Sequence, residues 1–225
     1  MINHVIDYFQ YLKDTFEDNI HFDLKWLENT TINKEKDFPK QKEFLALKEK
    51  IKNCHFCNLS ENNLNPIIGD GNLNAKIFIV VGIPSNNDSK AGKPLTDEAG
   101  ILFDKMLAAI GLTRNDVYIT NVLKCATVPG DNEISKKIAA CSNFVYQQIK
   151  IVNPNIILCM GEEAIHTILQ RSKKVSELRN RVLKPKHKNY KILVTYSPEF
   201  LLKNPTFKQY AWEDLQLLQK EFMAL

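Results

Sequence analysis

The sequence predicts an α/β protein, a three-layer α/β/α sandwich around a mostly parallel four-stranded sheet, with an N-terminal helical extension. The first observation is a set of four short apolar runs rich in β-branched residues. Strands of a sheet that is covered on both faces are near-continuously hydrophobic, as these runs are. The second observation is that helical patterns separate the runs. This alternation is typical of a parallel sheet with right-handed crossovers.

The predicted strands are KIFIVVG (76–82), VYITNV (117–122), NIILCMG (155–161) and KILVTY (191–196). The predicted helices are EAGILFDKMLAAIG (98–111), DNEISKKIAACSNFVYQQIKIV (131–152), EEAIHTILQ (162–170) and TFKQYAWEDLQLLQKEF (206–222). In an open parallel sheet the ligand lies outside the carboxyl ends of the strands. We therefore expect the functional residues in the loops that follow the four strands.

The first 50 residues differ from the remainder in charge and pattern. They carry 8 Lys and Arg against 10 Asp and Glu, whereas the remainder carries 22 against 16. Two helical stretches flank an irregular segment here. We interpret residues 1–50 as an N-terminal helical extension and residues 51–225 as the α/β domain.

Composition limits the classes of protein. No run of the 225 residues approaches eighteen apolar positions, and the N-terminus lacks the basic and apolar regions of a secretory signal. We therefore expect a cytoplasmic monomer without membrane contact. The segment 171–191 has nine basic residues and one acidic residue. It is either a solvated loop or a patch that faces phosphates.

Four of the five cysteines form the most informative motif. Cys54 and Cys57 make a C-x₂-C pair, Cys125 ends the second predicted strand, and Cys141 lies in the next helix. Thiols of a reducing compartment suggest a metal site or catalysis before disulfides. A redox dithiol would sit between a strand and a helix, whereas the residues before Cys54 read as helix. Spacing alone leaves an iron–sulfur cluster, structural zinc and no site open. Cys159, within an apolar strand, is interpreted as a buried hydrophobe.

A resemblance to a known family narrows these alternatives. Six features follow one another along the chain. In order, they are the C-x₂-C pair, a predicted strand that ends in VVG, the segment AGKPL, the segment GILFDKMLAAIGLTRNDVYITNVLKC, a fourth cysteine, and the segment TYSPEFLLKNPTFKQYAWEDLQLL. Over residues 51–222 this resembles the family-four uracil-DNA glycosylases. The resemblance implies a 4Fe–4S cluster on Cys54, Cys57, Cys125 and Cys141. It also implies DNA as partner and hydrolysis of the N-glycosidic bond of a deaminated base that has been flipped out of the stack.

The resemblance places a base pocket with altered motifs in this chain. Asn121 matches the amide that reads the uracil edge. The family motif Gly-Glu-Ala-Pro-Gly is GIPSN here, so Ile83 stands in the acidic position between Gly82 and Pro84. Asp88 is the nearest carboxylate that could serve instead, and its alternative interpretation is a plain loop aspartate.

Two further pocket positions differ from the family pattern. Leu95 stands where the family has a stacking phenylalanine, and it can cover a base only by dispersion. Ser197, before Pro198, replaces the histidine that would stabilise the uracil oxyanion. We predict both positions, with Pro198, to lie against the base, and Ser197 to assist its departure together with main-chain donors.

DNA contacts are predicted after the fourth strand and in the basic segment. Leu202, or its neighbour Leu201, matches the position that could wedge into the vacated base stack. The predicted phosphate contacts are Arg179, Arg181, Lys203 and Lys208. Three hypotheses follow: an active but divergent glycosylase, a weak or inactive relative that binds DNA or damaged bases, and an iron–sulfur scaffold with a protein partner.

Overall fold

The computed structural model describes residues 25–59, 65–127 and 130–225, with side chains from residue 39 onward. The chain divides into two compact units, Met1–Pro39 and Lys40–Leu225. The first helix, α1, covers Lys25–Lys52 and contains Pro39, at which the two units meet. The domain boundary expected after residue 50 stays a prediction. Residues 1–24 of the predicted extension lie outside the described residues.

The second unit is built on a five-stranded sheet in the order β1-β3-β2-β4-β5. Its strands are β1 (Asp70–Gly71), β2 (Ile77–Val81), β3 (Val117–Asn121), β4 (Ile156–Met160) and β5 (Lys191–Thr195). Strands β2 to β5 are parallel, and their register aligns Val81 with Asn121 and Met160 with Thr195. The predicted mostly parallel α/β architecture is therefore confirmed.

The sheet has one strand more than the sequence predicts, because β1 is only two residues long. It lies at one edge of the sheet and pairs antiparallel with β3. Gly71 has φ +105°, and a Cβ there would lie 2.1 Å from the carbonyl oxygen of Val117. The close pairing thus depends on a glycine. Because glycine has no side chain, β1 lacks the hydrophobic pattern by which a strand is recognised in a sequence.

The described part of the chain also contains eight α-helices, α1 among them, and two short 3₁₀ turns (Arg114–Asp116 and Pro205–Phe207). The α-helices after α1 are α2 (Asn86–Ala91), α3 (Glu98–Ala109), α4 (Ile134–Val152), α5 (Glu162–Leu169), α6 (Val175–Leu178), α7 (Pro198–Lys203) and α8 (Lys208–Met223). All five positions of β2, β3 and β4 are buried, as expected of strands with helices on both faces. Among the described helices, none combines the length and apolar composition that crossing a bilayer requires.

The topology brings four loops together at one edge of the sheet. Because β2 to β5 are parallel, the segments that begin at Gly82, Val122, Gly161 and Tyr196 all leave the sheet at the same end. Two of these segments lead directly into helices, since α5 starts after Gly161 and α7 after Ser197. This edge holds the residues that the sequence assigns to the base pocket.

Candidate active site and cysteine pocket

Asn121 is the central polar residue at the carboxyl edge of the sheet. It ends β3, is only 2% exposed, and donates a hydrogen bond of 3.2 Å from Nδ2 to the carbonyl oxygen of Gly82. Its Oδ1 is buried and has no hydrogen-bond partner among the described residues. A buried acceptor without a donor costs about 1–3 kcal/mol, and native folds retain few of them. The amide is therefore placed to accept a hydrogen bond from a ligand that enters this edge.

The segment Gly82–Ile83–Pro84 lies directly beside this amide. The carbonyl of Gly82 accepts hydrogen bonds from Asn121 and from the backbone N–H of Val122. Ile83 is half-buried and packs against the hydrophobic core, and Pro84 is buried. The segment thus offers backbone and apolar surface to the pocket, and the position of the family's acid carries no charge.

Asp88 lies in the helix that follows this segment and is 4% exposed. One carboxylate oxygen accepts the N–H of Ser85 at 3.0 Å, and the other accepts both the N–H and the hydroxyl of Thr96 at 2.8 Å. Together with the bond from the Asp88 N–H to Ser85 Oγ, this forms a capping box at the start of α2. The carboxylate therefore holds the loop closed, which favours the interpretation of Asp88 as a structural loop residue.

Leu95 is anchored in the core by its backbone. It is 2% exposed with φ +56°, and its carbonyl accepts a 2.6 Å hydrogen bond from Arg114. Gly100 of α3 packs so closely that a Cβ there would lie 2.0 Å from the Leu95 carbonyl oxygen. The side chain belongs to the main hydrophobic core, so the predicted contact of Leu95 with a base stays a prediction.

Ser197 caps α7, with Pro198 as its first residue. Ser197 Oγ accepts a 3.3 Å hydrogen bond from the N–H of Phe200. The neighbouring Glu199 has its pKa raised by burial, a hydrogen bond with Ser197 opposes that increase, and the charges of Asp88 and Asp97 add to it. The hydroxyl of Ser197 therefore sits beside a carboxylate that the sequence analysis did not single out.

Glu163 is a second carboxylate that the sequence analysis missed. It lies in the first turn of α5. A Cβ on Gly82 would lie 3.5 Å from Glu163 Oε2, and a Cβ on Gly161 would lie at the same distance. The same position on Gly161 is 3.4 Å from the Cβ of Ser197. The side chain thus reaches between the ends of β2 and β4 towards Ser197, and its place directly after a strand was the available signal.

The four predicted cluster ligands line one pocket on the second unit. Cys54, Cys57, Cys125 and Cys141 surround it together with apolar side chains such as Phe144. All four cysteines are half-buried. Burial raises the pKa of the Cys125 thiol to about 12, and negative charge on the other three cysteines adds to the increase. The topology therefore brings together thiols that span residues 54 to 141 of the chain.

The size and composition of this pocket bear on what it could hold. The space between its walls is about 350 Å³, and this value includes the part that is open to solvent. No group of three or more His, Cys, Asp or Glu side chains in the described ranges is close enough to bind a single metal ion. A cubane cluster holds its four ligands farther apart than one ion does, because each thiolate binds a different iron. Four thiols in an apolar pocket are the donor set that a 4Fe–4S cluster takes.

Lys124 lies between this pocket and Asn121. Its Nζ donates hydrogen bonds to Thr120 Oγ1 (2.5 Å), Gln148 Oε1 (2.8 Å) and the carbonyl oxygen of Asn121 (2.9 Å). Burial lowers the pKa of the ammonium to about 8, and the charges of Cys141 and Cys125 oppose that change. The three hydrogen bonds use all three donors of the ammonium and fix the end of β3.

The predicted DNA contacts differ in their surroundings. The Arg179 guanidinium binds Glu213 at 2.7 Å and Asp214 at 3.1 Å and lies 4.9 Å from the centre of the Tyr210 ring. These contacts hold the guanidinium against α8, and the phosphate contact of Arg179 stays a prediction. Of the two wedge candidates, Leu201 is 1% exposed and Leu202 is 37% exposed. Three of the predicted phosphate contacts are exposed: Arg181, Lys203 and Lys208.

Comparisons with known proteins identify the family. Residues 68–216 match the Uracil DNA glycosylase superfamily. A type-4 uracil-DNA glycosylase of Thermotoga maritima is 32% identical over 157 residues, which cover 69% of this chain and 81% of that protein. The type-4 uracil-DNA glycosylase of Archaeoglobus fulgidus is 31% identical over 165 residues, covering 71% and 83%. That of Sulfurisphaera tokodaii is 31% identical over 181 residues, covering 77% and 82%. The chain therefore belongs to the uracil-DNA glycosylase superfamily and groups with its type-4 members.

Proposed function

We propose that this protein is a DNA glycosylase that hydrolyses the N-glycosidic bond of uracil in DNA. The observation that carries the proposal is the buried amide of Asn121, whose Oδ1 lacks a partner among the described residues. Uracil presents an N–H donor at N3 and a carbonyl acceptor at O4. Asn121 Oδ1 can accept the first, and the second hydrogen on Nδ2 can bind the other.

This pairing accounts for selectivity between pyrimidines. Cytosine has an acceptor at N3 and an amino group at C4, so it would place an acceptor against Oδ1 and a donor against Nδ2. The buried amide would then lose both hydrogen bonds, which a buried polar group tolerates poorly. The bond from Nδ2 to the carbonyl of Gly82 fixes the orientation in which the amide meets the base.

Access to the bond requires the nucleotide to leave the base stack. Leu202 is the exposed residue of the pair at the end of α7 and is suited to fill the vacated space. Lys203 and Lys208 follow it at the surface, and Arg181 is also exposed. These cations would contact phosphates without regard to sequence. Double- and single-stranded DNA would both offer such contacts.

Departure of the base places negative charge on N1 of its ring and on the neighbouring carbonyl oxygen O2. Donors that point at the developing charge lower the barrier most effectively. Ser197 occupies the position of the family's histidine, and its hydroxyl lies just after β5, beside Glu199. We therefore assign it the weaker version of the role that a histidine would have, assisted by backbone N–H groups of the same edge.

The residues that would hold the family's cofactor are Cys54, Cys57, Cys125 and Cys141, and we propose a 4Fe–4S cluster there. Their soft thiolate donors and apolar surroundings suit iron–sulfur ligation. Bound to four thiolates, such a cluster would cross-link the loop after α1, the end of β3 and α4. We assign it a structural role, because the residues that line the cysteine pocket include none of those assigned to the base pocket.

The test of the glycosylase proposal is a single-turnover assay with protein in excess over uracil-containing oligonucleotides, in which alkali cleaves the abasic product. We expect Asn121→Ala to reduce the rate about 100-fold or more. Asn143→Ala is the matched control, since Asn143 is exposed on α4. Absence of cleavage by wild-type protein that still binds DNA in a gel shift would refute the proposed catalysis and leave a DNA-binding relative.

The cluster is tested separately. Protein purified without oxygen should contain iron and acid-labile sulfide, and Cys141→Ser should lose both. Cys159→Ala is the control, because Cys159 lies wholly buried in β4 and outside the pocket. A colourless wild-type protein that contains zinc, or none of these elements, would contradict the assignment.

A further inference from the structure

The acidic position of the family's first motif holds the uncharged Ile83 in this chain. A carboxylate reaches the same place from α5, the helix that follows β4. Ile83 packs its side chain on the hydrophobic core. Glu163 Oε2 lies 3.5 Å from the place where a Cβ on the adjacent Gly82 would stand. We infer that Glu163 is the carboxylate that activates water in the glycosylase reaction, an assignment that rests on the function proposed above.

The position of Glu163 relative to the other pocket residues supports this assignment. Gly82 accepts the hydrogen bond from Asn121, so the carboxylate lies next to the residue that orients the recognition amide. A Cβ on Gly161 would lie 3.5 Å from Glu163 Oε2 and 3.4 Å from the Cβ of Ser197. Glu163 therefore lies between the group that reads the base and the group assigned to its departure.

The surroundings leave the carboxylate available for catalysis. Among the described residues, no Lys, Arg or His forms an ion pair with Glu163, and the described hydrogen bonds of this residue involve its backbone. The glutamates 177, 213 and 221 of the same unit are all paired with a Lys or Arg.

The other carboxylates at this edge are less suited to the task. Both oxygens of Asp88 accept hydrogen bonds from its own loop. Asp97 caps α3 by accepting the N–H of Ala99. Glu199 is the strongest competitor because it lies beside Ser197, and its Gln variant is therefore one arm of the test below.

The proposed step balances as follows. A water oxygen forms a bond to C1′ of the flipped nucleotide while the N-glycosidic bond breaks, and the bonding electron pair leaves with N1 of uracil. The carboxylate of Glu163 takes the proton that the water loses and releases it to solvent. The uracil anion takes one proton from solvent, so the products are the abasic sugar and free uracil. Negative charge on Glu163 also stabilises the positive charge that develops on the sugar.

The experiment compares Glu163→Gln with Glu162→Gln in the single-turnover assay. Glu162 is the preceding residue, exposed in the same first turn of α5, so its variant controls for loss of charge at this helix end. We expect Glu163→Gln to lower the excision rate about 100-fold or more and Glu162→Gln to stay within about twofold. Binding to uracil-containing DNA in a gel shift should change less than threefold in both variants.

The pH dependence distinguishes catalysis from a structural role. The acidic limb of the wild-type rate profile should disappear in Glu163→Gln, because no carboxylate remains to be protonated there.

The outcomes separate this inference from the proposal on which it rests. Wild-type protein without any excision activity would refute the glycosylase function itself. Active wild-type protein with a Glu163→Gln rate near that of wild type would refute only the role of Glu163. If Glu199→Gln abolished excision while Glu163→Gln retained it, the carboxylate would be Glu199, and the inference would be overturned.

Discussion

Replacing Asp88 with Asn distinguishes a structural aspartate from a catalytic one. The carboxylate accepts three hydrogen bonds, from the N–H of Ser85 and from the N–H and hydroxyl of Thr96. An Asn amide offers one oxygen and one NH₂ group in place of two oxygens, so at least one N–H donor would face another donor. At a site that is 4% exposed, this loss should cost about 2–4 kcal/mol of unfolding free energy.

The stability loss is measurable by thermal or urea unfolding. For a chain of 225 residues, we expect the melting temperature of Asp88→Asn to fall by about 5–12 °C. Thr96→Val, which removes only the hydroxyl donor, should show a smaller fall. The excision rate of folded Asp88→Asn at 25 °C should remain within about tenfold of wild type, whereas a catalytic acid or base contributes 10²–10⁴-fold.

A different result would refute this reasoning. If Asp88→Asn unfolded at the wild-type temperature, the three hydrogen bonds would contribute nothing to the fold. If the stable variant had also lost excision activity by more than a hundredfold, Asp88 would act on the substrate. The capping box would then be a secondary feature of a catalytic residue.

Two further predictions concern the DNA-facing end of the molecule and its pH dependence. Leu202→Ala should reduce excision from duplex DNA more than excision from single strands, and equal effects on both substrates would contradict the wedge. Its unfolding free energy should stay within about 0.5 kcal/mol of wild type. Leu201→Ala should lose about 2–5 kcal/mol of unfolding free energy, because Leu201 is the buried residue of the pair. Burial raises the pKa of Asp214, so the folded chain binds more protons than the unfolded chain between the unfolded value near 3.9 and the folded value. Stability should therefore fall as pH increases through that window relative to Asp214→Asn, and parallel curves of urea unfolding free energy against pH would contradict this sign.

The sequence predicts the sheet well because its four parallel strands are continuous apolar runs. Each predicted run contains its observed strand, and helices α3, α4, α5 and α8 lie where apolar spacing places them. Hydrophobic pattern records burial, and burial on both faces is what defines these strands. The strand β1 has no hydrophobic pattern, because its pairing depends on only two residues and on the backbone freedom of Gly71.

The candidate site is predictable only where one residue carries the signal. Asn121 is found at a strand end, and Cys54 with Cys57 is found from its spacing. Glu163 is not found, because its contact with Gly82 spans 81 positions and depends on β4 lying next to β2. Sequence order does not state which strands are neighbours. The pairing of Arg179 with Glu213 has the same cause, since a basic segment shows charge but not the partner that neutralises it.

The cysteine pocket and the recognition amide are one continuous structure rather than two independent sites. Lys124 precedes Cys125 in the chain, and its ammonium donates to the carbonyl of Asn121 and to Thr120. A buried ammonium is tolerated only when all its donors are satisfied, so movement of the chain at Cys125 would be resisted by the same bonds that hold the end of β3. The amide that we propose to read the base is thus fixed from the side on which the four thiols lie. This gives the cysteine pocket a physical reason to accompany the proposed base pocket.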